Sequence, residues 1–256
     1  MTPIKSAHMV LHDFKVTTTP ALSLNKIFEH YKIIYDEMEY NNPNFMGSLI
    51  RAEGETIILV NTDIKNVGRI NFTKAHELGH YCLNHHGEQF ECLRTDLLDF
   101  TRKPMEIEAN QFAQEFLMPE HMVKPICFTA PFDFQTIKGI SDYFLVSKLA
   151  AVFRILEYHS GNYAFIYSKD GVITHSKVSS NLMGKVAIRY PGEQIDSKSY
   201  AFSLLYGKTT SNDYTTINSS IWIRKNHTSQ KIAVKEFSRA NKASRTVMTL
   251  LKIKFI

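Results

Sequence analysis

The chain has few cysteines and lacks long apolar runs. Its 256 residues include three cysteines, Cys82, Cys92 and Cys127, and no C-x-x-C pair, which excludes a disulfide framework and gives no sign of a structural zinc site. No apolar stretch is long enough to span a bilayer, and residues 1–8 lack the apolar core of a secretion signal. We therefore expect a cytoplasmic globular protein that does not associate with membranes.

Acidic residues are scarce in the second part of the chain. Residues 1–154 hold 15 Lys and Arg against 19 Asp and Glu, whereas residues 155–256 hold 15 against 6. This asymmetry suggests an anionic partner for the basic part, such as nucleic acid. A solvated basic surface without a partner explains it equally well, because the lysines are spread along the predicted strands.

The most informative stretch is residues 73–80, which read TKAHELGH. They contain His-Glu-x-x-His, and histidines four residues apart lie on one face of a helix. His76 and His80 are therefore predicted to bind one metal ion. Glu77 lies one step round the helix, which suits a general base that takes a proton from water at the metal. The alternative is a chance match on an amphipathic helix.

A catalytic zinc usually keeps three protein ligands, so a third is expected elsewhere. A second helix is predicted from Pro104 to a proline just past its end. Its predicted apolar face comprises Met105, Ala109, Phe112, Ala113, Phe116 and Leu117. Glu106 falls inside that face, where a carboxylate is costly unless a cation meets it, whereas Glu108 and Glu115 fall outside. We expect Glu106 rather than Glu108 to bind the metal, and Asn110 to hydrogen-bond a ligand histidine. Pairing of Glu106 with a Lys or Arg is the alternative.

Other histidines are weaker ligand candidates. His85 and His86 follow the predicted helix and lack the four-residue spacing from His80, and His121 has no partner at a suitable spacing. Two histidines and one carboxylate suit several divalent ions, so zinc is expected but manganese or another divalent ion would also fit.

Residues 69–80, 106–113 and 117–119 together resemble the ImmA/IrrE family of metallopeptidases in residue type, order and separation. The resemblance implies a zinc-dependent endopeptidase of the gluzincin kind, with Glu106 as the third ligand. It also implies a substrate class, the helix-turn-helix repressors of stress-response or mobile-element genes. One alternative is a regulatory protein that binds a repressor or DNA without proteolysis, and another is a general protein-degrading peptidase.

The expected fold class is α+β, with three regions. Residues 1–125 are predicted to form a zincin-like metallopeptidase domain, in which the active-site helix packs against a small, mostly antiparallel sheet. Residues 126–160 resemble a helix-turn-helix segment. Residues 161–256 are basic and β-rich, and weakly resemble the GAF-like sensory domains of longer family members.

Within the first region, a helix is predicted from Leu22 to Glu39, because apolar residues recur at spacings of three and four. Strands are predicted at Phe45–Ala52 and Glu55–Val60, around a turn at Glu53-Gly54. The resemblance implies an edge strand beside the metal, and we assign that role to the second strand, although an ordinary core strand would have the same sequence pattern. Val60 and Asn61 would then hold an extended substrate by main-chain pairing.

Beyond Pro119, helices are predicted at Asp133–Tyr143 and Ser147–Tyr158. The second carries mostly apolar residues, so we favour packing over DNA reading. A hairpin is predicted around Lys169-Asp170-Gly171. A helix is predicted near residues 198–206, and further strands at 221–223, 232–234 and 247–255. The single Trp222 is expected in the core.

Overall fold

The computed structural model describes residues 1–42, 44–63, 65–84, 89–93, 103–207 and 213–256, with only the backbone at 89–93. The chain divides into two compact units. The N-terminal unit comprises Met1–Val123 and Lys138–Ala151, and the C-terminal unit comprises Lys124–Ile137 and Val152–Ile256. The helical segment predicted at 126–160 is thus divided between the two units.

The N-terminal unit contains four helices and four strands that the structure describes in full or in backbone. They are α1 (Pro3–Asp13), α2 (Leu24–His30), β1 (Ile33–Met38), β2 (Phe45–Ala52), β3 (Glu55–Asn61), α3 (Val67–Cys82), β4 (Gln89–Leu93) and α4 (Pro104–Leu117), with a 3-10 helix at Pro20–Ser23. Three further helices have residues in both units: α5 (Glu120–Thr129), α6 (Phe134–Phe144) and α7 (Lys148–Tyr158).

The four strands form one sheet in the order β1-β3-β2-β4. β2 and β3 form the predicted hairpin, and Glu53 and Gly54 both have positive φ, 52° and 82°, as a tight two-residue turn requires. β2 also pairs antiparallel with β4, and β1 pairs parallel with β3. The segment after α3 therefore contains a strand at 89–93.

The helix predicted from Leu22 to Glu39 is wrong in its second half. α2 ends at His30, and Lys32 has a φ of 56°, a left-handed conformation that stops a helix. Ile33 is buried and Ile34 is exposed, which is the alternation of a strand. The spacing of apolar residues fitted both structures, and pairing with β3 decided for the strand.

The turn between α6 and α7 packs on the first turn of α3 within the N-terminal unit. The Asn71 side chain donates a hydrogen bond to the Leu145 carbonyl at 2.9 Å. A Cβ on Gly68 would lie 2.3 Å from both Val146 C and Ser147 N. The two helices occur as predicted, and Ser147 caps α7 by accepting from the Ala150 backbone N–H. The docked turn supports a packing role for this segment.

The C-terminal unit is built on a five-stranded antiparallel sheet. Its elements are β5 (Tyr163–Lys169), β6 (Val172–Val178), β7 (Val186–Ile188), α8 (Tyr200–Leu205), β8 (Thr215–Ile217), β9 (Ile223–Asn226), β10 (Ile232–Asn241) and β11 (Thr246–Phe255), with 3-10 helices at Ser180–Leu182 and Ser219–Ile221. The strand order is β6-β5-β11-β10-β8, and β7 and β9 form a separate pair.

Most of the predicted elements of this unit are present, with one correction. The β5–β6 hairpin turns at Asp170 and Gly171, which both have positive φ. The strand predicted at 221–223 is instead the end of a 3-10 helix followed by β9. Asn218 explains the difference, because its side chain accepts a hydrogen bond from the Ser220 backbone N–H and stabilises the 3-10 turn.

A buried carboxylate lies at the centre of this unit. Glu236 is fully buried and accepts hydrogen bonds from the Trp222 indole N–H and the Ala201 backbone N–H, both at 2.7 Å, and from the Ser238 hydroxyl at 2.8 Å. Burial raises the pKa of Glu236 above 4.5, although these hydrogen bonds oppose the shift. Trp222 is fully buried in the core, as predicted.

Candidate metal centre

The two histidines of the motif face a common point between α3 and α4. α3 begins at its N-cap Asn66, whose side chain accepts a hydrogen bond from the Arg69 backbone N–H. One turn separates His76 from His80, and their Nε2 atoms lie 3.1 Å apart. Both side chains are fully buried.

Glu106, in the first turn of α4, supplies the third donor atom. Its Oε2 lies 3.1 Å from His76 Nε2 and 3.5 Å from His80 Nε2. The three ligand atoms lie within 4.8 Å of one another and all three residues are buried. Glu108, the rival candidate, is exposed. Within the described residues, this is the group of His, Cys, Asp and Glu side chains that can hold a metal ion.

The donor spacing fits a tetrahedral ion. Ligands that bind Zn²⁺ at about 2.0–2.1 Å lie roughly 3.3 Å from each other, and the three distances here bracket that value. The contact between His76 Nδ1 and Asn110 Oδ1, 2.9 Å, assigns the proton to Nδ1 and leaves a lone pair on Nε2. That lone pair faces a carboxylate oxygen, and two acceptors at this distance repel unless a proton or cation lies between them.

The protonation states also suit metal binding. Burial lowers the pKa of His80, and the neighbouring Glu106 only partly offsets this. Burial alone would raise the pKa of Glu106, but the neighbouring His76 and His80 outweigh it and lower that pKa. A neutral imidazole and an ionised carboxylate are the forms that ligate metals.

Close helix packing brings Glu106 to the histidines. Gly79 lies between the two motif histidines in the packing interface, and a Cβ there would lie 3.2 Å from Ala109 Cα and from Phe112 Cβ. Small residues at 79 and 109 therefore allow α3 and α4 to approach at the level of the ligands. This explains physically why glycine follows leucine inside the motif.

Strand β2 crosses α3 beside Glu77. A Cβ on Gly47 would lie 2.5 Å from Thr73 Cγ2 and 3.4 Å from Glu77 Oε1. Glycine at 47 thus gives the strand backbone room to pass the fully buried Glu77 carboxylate. Sequence reasoning missed Gly47, and the available signal was a glycine inside a strand, which often marks a close approach.

An ion pair between a buried lysine and an exposed glutamate connects α3 to β1. Lys74 Nζ lies 2.7 Å from Glu37 Oε1 and 4.5 Å from the centre of the Tyr35 ring. The hydrogen bonds from Lys74 and the Tyr35 hydroxyl lower the pKa of Glu37. Sequence reasoning did not single out these residues, because their contact joins elements far apart in the chain.

Comparison with known proteins agrees with this geometry. Residues 37–156 match the family model Peptidase_M78, described as the IrrE N-terminal-like domain. Residues 37–156 are an IrrE N-terminal-like domain. The resemblance to the ImmA/IrrE family is confirmed, and it supports a metallopeptidase-related or regulator-related role.

Solved structures extend the likeness beyond the IrrE N-terminal-like domain. A Mycobacterium tuberculosis transcriptional regulator is similar over 98% of this chain and 87% of that chain, with a TM-score of 0.52 and 10% identity. This likeness shows a shared fold and no more. No curated protein matches the chain. In the described residues, no helix has both the length and the apolar character needed to cross a membrane.

The strand pairing in the IrrE N-terminal-like domain contradicts the prediction that β3 is an edge strand that binds substrate. β3 pairs with β1 on one side and β2 on the other, so it is interior and cannot add a peptide strand. Val60 is fully buried, and Asn61 uses its side chain to hold the loop before β2 through the Phe45 carbonyl at 2.9 Å. The predicted main-chain pairing of Val60 and Asn61 with a substrate is therefore wrong.

Two expectations about α4 also need correction. Met105, predicted in the apolar face, is 41% exposed, because it lies at the free end of the first turn. Glu115, predicted outside that face, is buried, with its Oε1 2.7 Å from His8 Nε2 and 2.9 Å from the Glu120 backbone N. Packing of α1 against α4 covers this face, which helical periodicity alone did not show.

The remaining histidine candidates lie away from the metal centre or outside the described chain. His121 is exposed on α5 and does not belong to the donor group. His85 and His86 lie outside the described residues.

Proposed function

We propose that this protein is a zinc-dependent endopeptidase that cleaves a helix-turn-helix transcriptional repressor and so relieves repression of stress-response or mobile-element genes. The observation that carries the proposal is the buried donor set of His76, His80 and Glu106, with Glu77 beside it on the same helix. A structural metal site does not require that adjacent carboxylate, whereas peptide hydrolysis needs a base.

Each residue has a distinct task in this mechanism. His76, His80 and Glu106 would hold Zn²⁺, which would supply Lewis-acid polarisation of the scissile carbonyl and a more acidic water. Glu77 accepts a proton from the attacking water and then delivers it to the nitrogen of the leaving amine. Asn110 holds the His76 ring by accepting its Nδ1–H, so that Nε2 stays available for the ion.

The substrate would pair with a strand other than β3. β4 lies at the end of the sheet next to β2, the strand that carries Gly47 past Glu77. An extended peptide segment added along β4 would continue the sheet on the side of the catalytic carboxylate.

The test uses Glu77→Gln with Glu108→Gln as its matched control, because Glu108 carries the same change on the exposed face of α4. Zinc per chain is measured by elemental analysis. New protein N-termini are identified by mass spectrometry in cells that express each variant. We expect zinc in all three proteins, and new N-termini in helix-turn-helix proteins only with the wild type and Glu108→Gln.

The outcomes separate the alternatives. New termini that are equally abundant with Glu77→Gln would refute catalysis by this site. Altered repression without any cleavage would favour the non-proteolytic regulator that binds a repressor or DNA. Rapid digestion of casein by the wild type would favour a general protein-degrading peptidase.

A further inference from the structure

Three lysines share the outer face of β10 and β11, two neighbouring interior strands of the C-terminal sheet. Lys235 and Lys252 are direct cross-strand partners on β10 and β11, and Lys254 lies two residues further along β11 opposite Ala233. Because side chains alternate along a strand, all three project on the face opposite the buried Val234 and Ile253 of the core. All three are exposed. We name Lys235, Lys252 and Lys254 the lysine face.

The part of this sheet face next to the lysines is covered within the C-terminal unit. Phe237 and Leu250, the next cross-strand pair along, are buried. The Phe134 ring packs edge-on against Phe237 with centroids 4.7 Å apart. The lysine face is therefore one end of the sheet face that the helices of this unit leave exposed. Beyond Phe237, the exposed Arg239 lies over the Phe134 and Phe237 rings.

Four acidic side chains of the unit have partners other than these lysines. Glu193 and Asp196 pair with Arg189, and Asp170 pairs with Arg245. Glu236 lies buried on the other face of the sheet. Among the described residues, none of the three lysines forms an ion pair within 4.0 Å.

Folding does not account for this arrangement. Like charges directly opposite each other on neighbouring strands are destabilising. Lysines on edge strands often prevent unwanted strand pairing, but β10 and β11 are interior strands. An anionic partner would relieve the repulsion between Lys235 and Lys252.

We propose that the lysine face binds the phosphate backbone of nucleic acid without regard to sequence. The same cross-strand row continues to the exposed Thr216 on β8, whose hydroxyl group is a typical phosphate contact. On β5 it continues to Tyr163, whose ring centre lies 6.0 Å from Lys252 Nζ. A membrane-binding surface inserts large apolar side chains into the bilayer. Ala233, opposite Lys254 and two residues from Lys235, is too small to do so. β10 and β11 are interior strands of a five-stranded sheet, and so form neither a free two-stranded ribbon nor a helix that could enter a major groove. The contacts are therefore with phosphates rather than bases. This inference is independent of the proposed peptidase activity.

The test measures binding of the full chain to a fluorescently labelled double-stranded DNA of arbitrary sequence, by anisotropy, over a salt series. Wild type is compared with Lys235→Gln/Lys252→Gln and with the control Lys185→Gln/Lys225→Gln, which removes two charges from exposed lysines elsewhere in the unit. We expect a wild-type Kd of about 10⁻⁴–10⁻⁶ M at physiological salt. The first variant should lose about tenfold in affinity at low salt, and its log–log salt slope should fall by about 2, roughly 1 per lysine.

Matched controls decide the interpretation. The Lys185→Gln/Lys225→Gln protein should bind nearly as the wild type does, and Lys252→Arg should retain binding because it keeps the charge. Since the change removes a repulsion, the Tm of Lys235→Gln/Lys252→Gln should not fall, which excludes misfolding.

Three results would overturn the proposal. They are equal losses in both double variants, no DNA binding by the wild type at low salt, and binding through these lysines to vesicles of phosphatidylserine and phosphatidylcholine but not to DNA. The last result would identify a membrane surface instead.

Discussion

Replacing Asn110 with alanine should weaken metal binding without removing any metal ligand. Asn110 Oδ1 accepts the His76 Nδ1–H at 2.9 Å, which fixes both the tautomer and the ring orientation. Loss of such a partner typically costs about 10–100-fold in metal affinity, or about 1.4–2.8 kcal/mol. The whole fold should persist, because Asn110 lies at the edge of the buried α4 face.

Competition with a chelator of known zinc affinity measures the effect. Asn110→Asp should keep or improve affinity, since a carboxylate accepts the same proton, and Gln111→Ala, an exposed neighbour, should leave affinity unchanged. His76→Ala should abolish binding. The reasoning fails if Asn110→Ala binds zinc within about twofold of the wild type, because the hydrogen bond would then not position His76.

Two further predictions concern stability. Gly68→Ala should destabilise the protein by about 1–3 kcal/mol or more through overpacking. Gly139 is also helical but has open space around its Cβ position, so Gly139→Ala should stabilise the protein by about 0.5–1 kcal/mol. Urea unfolding followed by circular dichroism compares the two variants, and a stability change of the same sign in both would contradict the packing argument. Glu236→Gln should cost about 1–3 kcal/mol at pH 5, because its amide NH₂ must face a buried N–H donor. Burial raises the pKa of Glu236 above 4.5, so the wild type should lose stability as pH rises above that value and the variant should not. Fluorescence of the single Trp222, which donates to Glu236, reports this unfolding, and parallel pH profiles would contradict the assignment.

The metal centre shows where sequence patterns are reliable. His76 and His80 lie on one helix, so a spacing of four residues places them together whatever the rest of the fold does. Glu106 could be chosen over Glu108 because a carboxylate in an apolar helix face needs a positive partner. Both inferences use local geometry, and the structure brings these three side chains together.

Hairpins were predictable for the same reason. The turns at Glu53-Gly54 and Asp170-Gly171 require positive φ, which glycine adopts readily. Their flanking strands pair with near neighbours in the chain, so the local pattern contains most of the information.

Errors arose where a distant partner decided the outcome. β1 has apolar residues at a spacing that fits a helix, and parallel pairing with β3 made it a strand. Glu115 is buried because its partner His8 lies 107 residues away. The same pairing put β3 inside the sheet and removed Val60 and Asn61 as substrate residues.

The sequence by itself determined the chemistry of this protein, that is, which side chains can hold a metal ion and which carboxylate lies beside them. Only the tertiary structure decided how these residues meet, through glycines at 47 and 79 that let β2 and α4 approach α3. It also placed Lys235 and Lys252 side by side on β10 and β11. Local periodicity follows from the geometry of one helix or strand, whereas close approach depends on the atoms of two elements that the chain separates.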